Sequence, residues 1–151
     1  MDSIKTLGDE ITKQLSQGTK LSELFDLMRN YNGNDWNDHV KFCKEKYAKH
    51  PVLENEHIAI FVICWEVGQF SCIHDHPENG CLMRTLSGKL IENVYANNNG
   101  QFEVCKTNAL DKDGVSYIQG KNGLHNIRNG CDGKTVSLHV YSPPGHKTVF
   151  Y

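Results

Sequence analysis

The sequence predicts a mainly β protein, a sandwich or barrel of antiparallel strands behind a helical preface. Three observations predict it. The spacing of apolar residues changes at Pro51 from a period near 3.6 to one near 2. The runs that follow are short, rich in β-branched and aromatic residues, and separated by Gly, Asn and Asp. No internal repeat, long linker or low-complexity tract interrupts them. The length of 151 residues suits one domain over 1–151, with 1–50 as the helical segment and 51–151 as the β unit.

The preface reads as three helices. Ile4, Leu7, Ile11 and Leu15 recur every three to four positions, and Leu21, Leu24, Phe25 and Met28 repeat the pattern. The stretch NDWNDHVKFCKEKYAKH opens on capping residues and puts Trp36, Val40, Cys43 and Tyr47 on one face, which predicts a third helix ending before Pro51. Strands are then expected in IAIFVICW, CLMRTLSGKLIENVYA, QFEVCKT, VSYIQ and TVSLHVYS, with hairpin turns at SGK (87–89) and NNNG (97–100).

Charge and composition narrow the function. A net charge of −2 excludes the basic balance of a nucleic-acid binder, and 38% apolar residues describe an ordinary globular chain, so small molecules are the expected partners. No apolar run reaches the length that crosses a bilayer, and the amphipathic, acidic start is unlike a signal peptide, which leads to a cytoplasmic expectation without membrane partners. The six cysteines (43, 64, 72, 81, 105 and 131) are scattered in a chain long enough to bury its own core and read as free thiols. A polar surface of modest charge suits a monomer.

The chemistry concentrates in CWEVGQFSCIHDHPENGC, residues 64–81. If His74 and His76 lie in a strand, their side chains share one face with Cα atoms about 6.6 Å apart, so both imidazoles can reach one ion. Spacing alone also admits a chance pair, since the chain has eight histidines.

The wider frame is more specific. Gly68, His74, His76, Cys81 and Gly88 stand at the spacing of the first cupin motif, with cysteine where many cupins carry glutamate. Gly114, His125 and Asn129 resemble the second motif, with Gly120 and Asn122 in place of its usual proline and inner glycine. The strings ICW, SCIHDH, CLMRTLSGKL, GLHNIRN and SLHVYSPP resemble the thiol dioxygenases, specifically the animal type of cysteine dioxygenase, over most of residues 36–144.

That resemblance implies a cupin-type antiparallel β-barrel, a jelly roll, holding one mononuclear Fe(II) on His74, His76 and His125. It also implies oxidation of L-cysteine by O2 to cysteine sulfinate, within cysteine catabolism and taurine biosynthesis. Imidazole suits iron, and three neutral ligands leave open positions and an uncompensated 2+ charge, which favours anionic substrates. Zinc suits three histidines as well, so the metal rests on the resemblance. In the family the cysteine at position 81 forms a thioether with a tyrosine, here Tyr141, whose hydroxyl reaches substrate carboxylate or oxygen. Ser137 and His139 alternate with Tyr141 along one strand face and correspond to the family's supporting hydrogen-bonded series. Two other roles for Cys81 are a buried small apolar residue and a metal-binding thiolate, the latter favouring zinc.

The family's carboxylate-binding arginine has no direct counterpart. KYAKHP supplies Tyr47 and Lys49 instead, and an ammonium lacks the two-pronged grip of a guanidinium. Loss of one charge-assisted bond lowers affinity by about one to two orders of magnitude. Lys49 acts unaided, or Arg84 or Arg128 substitutes, or the substrate is another small thiol such as mercaptopropionate. A solvated lysine at a helix end is the plain alternative. The segment GHKTVFY reads as a shortened form of the family's closing strands, and a non-catalytic metal-binding cupin is the competing class. Sugar isomerisation on the same fold is disfavoured, because it usually needs the acidic ligand that Cys81 replaces.

Overall fold

The computed structural model describes residues 1–151. Helix α1 spans Ile4–Ser16, and its N-cap Ser3 accepts a bond from the Thr6 amide through Oγ, which satisfies one of the free donors at a helix start. Ile4, Leu7 and Ile11 form its buried stripe, and Gly8 lies on the same face, where a Cβ would stand 3.1 Å from Leu53. A 3-10 turn at Leu21–Glu23 leads into α2, Phe25–Asn30, with Met28 buried.

The expected third helix does not form. The chain makes one 3-10 turn at Asp35–His39 and then enters strand β1 at Ala48–Glu54, so the β part begins at Ala48 and not at 51. The capping residues are already engaged. Asp35 accepts the Ile4 amide at 2.9 Å and the Tyr31 hydroxyl, tying the turn to the start of α1. Pro51 sits inside β1 without penalty because β1 is an edge strand, paired only with β2, and its register shifts between Pro51 and Leu53.

The other strands are β2 (Ala59–Trp65), β3 (Gly80–Ser87), β4 (Leu90–Asn98), β5 (Gln101–Leu110), β6 (Val115–Ile118), β7 (Leu124–Asn129) and β8 (Thr135–Ser142). Every pairing is antiparallel, in a five-stranded sheet β1-β2-β8-β3-β6 and a three-stranded sheet β5-β4-β7. Of the two expected hairpin turns, NNNG joins β4 to β5, whereas SGK closes no hairpin, because β3 and β4 lie in different sheets and the chain passes there from one sheet to the other. At Gly88, with φ 84°, an added Cβ would stand 2.3 Å from the Thr135 hydroxyl, so no side chain fits there. Asn99 and Gly100 both take positive φ, as a two-residue hairpin of right-handed twist requires.

The larger sheet is buried on both faces. Ile60, Val62, Cys64, Leu82, Leu86, Val136, Leu138 and Val140 point outward into the main core, where Ile4, Leu7, Ile11, Met28 and Tyr31 of the preface cover them. Residues of the opposite parity, including Ile63, Trp65 and Met83, face the barrel interior and meet Leu90, Leu110 and Ile127 of the smaller sheet. Each fully buried aliphatic side chain contributes about 1.5–3 kcal/mol, so the outer core holds the larger share of stability and the interior is free to carry polar groups. On β8 those interior positions are Thr135, Ser137, His139 and Tyr141, all facing the space between the sheets.

Candidate metal centre and adjoining cavity

His125 lies on β7, while His74 and His76 come from an irregular run and not from the strand expected. The run touches β7 through bridges Phe70↔Arg128 and His74↔His125, and His76 is held by its amide on Gly120 O at 3.1 Å. The three rings nevertheless converge, and one nitrogen of each lies within 4.8 Å of the others.

The convergence is fixed from behind. His74 Nδ1 donates to Cys72 O at 2.8 Å, His76 Nδ1 to Gly123 O at 2.6 Å, and His125 Nδ1 to Glu92 Oε2 at 2.7 Å. Carbonyl and carboxylate oxygens accept only, so each neutral ring carries its proton on Nδ1 and turns an unprotonated Nε2 inward. The Nε2 atoms of His76 and His125 stand 2.9 Å apart, and those of His125 and His74 stand 3.2 Å apart. Facing lone pairs at that distance repel unless a metal ion or a shared proton lies between them. Three nitrogens at right angles about 2.1 Å from one ion are about 3.0 Å apart, against about 3.4 Å at tetrahedral angles. The 2.9 Å separation matches the right-angled value and the 3.2 Å separation falls between the two, so both are of the size that one shared ion requires.

Burial, reinforced by the neighbouring His125, brings the His74 pKa down to about 4, and burial first of all holds His76 far below the usual imidazole range. Both rings are thus neutral near pH 7, the state in which imidazole binds metal.

Glu92, from β4, is a site residue that the sequence reading missed. It is 1% exposed and takes three hydrogen bonds: His125 Nδ1, Ser116 Oγ at 2.6 Å and Asn108 Nδ2 at 2.8 Å. Burial alone would raise its pKa, but the bond from His125 and those from Ser116 and Asn108 outweigh it and hold the carboxyl below its ordinary value. A signal was present, since Leu90, Glu92 and Val94 share strand parity, which puts a carboxylate on the inward face.

Cys81 and Tyr141 are direct cross-strand partners in β3 and β8, and such partners have side chains within contact reach. Cys81 is 2% exposed, and burial pushes its thiol up to about 12 despite the nearby Lys49 charge. The metal-ligand cluster comprises the three histidines without Cys81. Burial, then the neighbouring Cys81, keeps the Tyr141 phenol well above its usual range and therefore protonated. Trp65 Nε1 donates to Ser137 Oγ at 3.0 Å, and Ser137 Oγ lies 2.8 Å from His139 Nε2. Ser137 Oγ thus links the Trp65 indole to the His139 ring. His139 then meets Tyr141 by ring contact, nearly parallel at 6.1 Å, and not by the hydrogen bond expected.

A cavity beside the imidazoles is lined by Tyr47, Lys49, Ser71, His74, His125, His139, Tyr141, Thr148 and Phe150, among others, with about 30 Å³ of free space. Tyr47 stacks on Trp65 at 4.6 Å. Lys49 lies on β1 and not at a helix end. The residue as a whole is solvent-exposed, yet its ammonium sits 4.4 Å from the Phe61 ring centroid and 4.5 Å from that of Tyr141. Loss of hydration there lowers its pKa. The two arginines considered as substitutes lie elsewhere. Arg84 is buried against the preface, where Nη1 donates to Tyr31 O at 2.6 Å and Nη2 pairs with Asp113 at 2.9 Å; Arg128 is exposed on the outer side of β7. The segment GHKTVFY closes one cavity wall: Tyr151 N donates to Ile73 O, Val149 N to the Asp75 carboxylate, and His146 Nε2 lies 2.9 Å from that same carboxylate.

Comparison with known proteins gives a consistent picture. The family profile "Cysteine dioxygenase type I" matches residues 4–151. "Cysteine dioxygenase type 1" of Danio rerio is 31% identical, with 95% of this chain and 74% of the relative covered. The Homo sapiens protein of the same name is 30% identical, with 93% of this chain and 76% of the relative covered. Among solved structures, one from Thermus thermophilus superposes with TM-score 0.60 at 21% identity over 73% of this chain and 95% of its own. A cupin superfamily protein from Desulfitobacterium hafniense gives 0.56 at 11% identity, covering 74% and 90%. These structural likenesses establish the cupin, or double-stranded β-helix, architecture.

Proposed function

The chain belongs to the cysteine dioxygenase type I family, and from that premise we propose that it is an iron-dependent dioxygenase oxidising L-cysteine with O2 to cysteine sulfinate. The observation that carries the metal reading is the convergence of three Nε2 atoms, each ring oriented by an oxygen at its Nδ1. His74, His76 and His125 would hold the ion. Fe(II) bound there supplies the redox chemistry by which both atoms of O2 are added to a thiol sulfur, a balanced reaction that needs no external reductant.

The remaining residues bind and orient. Lys49 is the lysine of the cavity lining and receives the substrate carboxylate, with Tyr47 beside it. Tyr141, protonated through burial, directs a donor hydroxyl at substrate or oxygen. His139, anchored by Ser137 and Trp65, fixes the Tyr141 ring by contact. Cys81 becomes linked to Tyr141 as a thioether, with loss of two hydrogens to dioxygen as oxidant. The free space in the cavity is close to that of one or two waters, so Lys49 or Phe150 swings aside to admit a thiol. Six unpaired cysteines fit a reducing compartment, and we place the protein in the cytoplasm.

The exchange of arginine for lysine favours one second reading, a different carboxylate-bearing thiol such as mercaptopropionate. Oxygen uptake by anaerobically iron-loaded protein given L-cysteine, mercaptopropionate or cysteamine separates the two, with sulfinate identified by mass. Cysteine is expected to give the highest kcat/KM. A clear preference for mercaptopropionate transfers the assignment, and no sulfinate from any thiol with iron bound overturns the enzyme. Protein recovered after turnover is expected to be lighter by two hydrogens, and Cys81→Ala protein is not.

A further inference from the structure

The set of three histidines lacks the acidic ligand that many metal-binding cupins carry, and the slot holds Cys81, which is outside the ligand cluster. A carboxylate nevertheless stands one imidazole away. Glu92 is buried to the depth of the core, at 1% exposure, and its partners all approach as donors: Ser116 Oγ and Asn108 Nδ2 at Oε1, His125 Nδ1 at Oε2. A carboxylate that accepts at both oxygens and donates nowhere is the ionised form. Glu92 and His125 are diagonal neighbours on β4 and β7, since Glu92 is in register with Ile127, two residues from His125 on the same face. The β-ladder itself therefore sets their contact.

His74 and His76 present Nδ1 to main-chain carbonyls, which carry only a dipole. His125 alone of the three presents Nδ1 to a full negative charge. We infer that Glu92 is the positioning residue of the metal centre: it holds His125 with Nε2 toward the ion and returns, through that ring, the negative charge missing from the ligand set. The inference rests on the reading of the three histidines as a metal site and is independent of which thiol is oxidised.

Two consequences separate this role from mere packing. The first is affinity. Glu92→Gln preserves volume and an acceptor for Ser116 and Asn108 but removes the charge, and Glu92→Leu removes charge and hydrogen bonds together. Partners of this kind typically govern metal affinity by about 10- to 100-fold. Anaerobic titration of the metal-free proteins with Fe(II), and separately with Co(II), against a chromophoric chelator is expected to show the Gln variant binding about 10-fold or more weakly, and the Leu variant at least as weakly. Thermal unfolding of the metal-free Gln variant is expected to stay near that of the wild type, a split that packing alone does not produce. Affinity within about twofold of the wild type overturns the role of Glu92.

The second consequence needs no variant. In metal-free wild-type protein, long-range proton–nitrogen spectra are expected to show His125 as the Nδ1–H tautomer, and a dominant Nε2–H tautomer overturns the assignment. Wild-type protein that binds neither Fe(II) nor Co(II) overturns the metal-site reading on which it rests, whereas binding insensitive to Glu92 overturns this inference alone.

Discussion

Lys49 holds its ammonium against two aromatic faces, Phe61 and Tyr141, and has no carboxylate partner there. Such a cation is attracted by the rings but poorly hydrated, so a substrate carboxylate gains a strong partner on entry. Lys49→Met is expected to raise KM for L-cysteine by about 10- to 100-fold while leaving oxidation of cysteamine, which has no carboxylate, little changed. The sign of the pH effect follows from burial. The ammonium pKa is lowered from 10.5, so charge is lost on the alkaline side at a lower pH than for an ordinary lysine. KM is expected to rise with pH in that range, and Lys49→Arg, which stays charged, is expected to remove that limb; an identical alkaline limb in both proteins contradicts the role. Motif spacing marks His74, His76 and His125, which converge in the fold, as well as Cys81, while Tyr141 is marked by the resemblance of SLHVYSPP. The sequence misplaces Lys49 at a helix end because Pro51 reads as a helix stop, and Glu92 escapes because its partner is 33 positions away in sequence.

Strand β8 shows how an element can carry structure and chemistry on opposite faces. Val136, Leu138 and Val140 are embedded in the core beneath the preface, while Ser137, His139 and Tyr141 look into the barrel. Leu138→Ala is therefore expected to cost about 2–5 kcal/mol in urea unfolding and to leave Fe(II) affinity unchanged, because the deleted methyls face away from the imidazoles. A drop in metal affinity on the same scale would show that the two faces are not independent. Alternation makes this strand legible from sequence alone, and an unbroken run of β-branched and aromatic residues does the same for β2. Strand β1 is not, because its polar residues and Pro51 suit an edge that pairs on one side only. The third helix is predicted from caps whose acceptors serve a tertiary contact, Asp35 to Ile4, which no local pattern records. The paired His74 and His76 converge through isolated bridges of His74 to His125 and Phe150 and through long-range amide bonds, where the sequence suggests a regular strand.

At the scale of the whole molecule, the helical preface and the barrel are joined by shared core and by Arg84, whose guanidinium reaches from β3 to carbonyls at the end of α2. Stability is expected to depend on pH through the buried imidazoles. His74 has a folded pKa of about 4 against 6.5 unfolded, and His76 and His139 are displaced the same way, chiefly by burial. Between those values the unfolded chain binds more protons, so stability is full above about 6.5 and declines as pH falls toward about 4. Metal-free protein is expected to lose Tm steadily over that interval, and a flat Tm contradicts the buried neutral state of the rings. Saturating metal raises stability by about 4 kcal/mol at a thousandfold excess over Kd.

The pairing of residues 149–151 with 73–75 has a further consequence. The same short run that carries His74 is hydrogen-bonded to β7 on one side and to the chain's final residues on the other, with Asp75 gripping both Val149 and His146. Whatever immobilises His74 also damps the opening of that edge. Solvent exchange of the Val149 and Tyr151 amide protons, far simpler to follow than turnover, is thus a clock that runs slower as the centre fills.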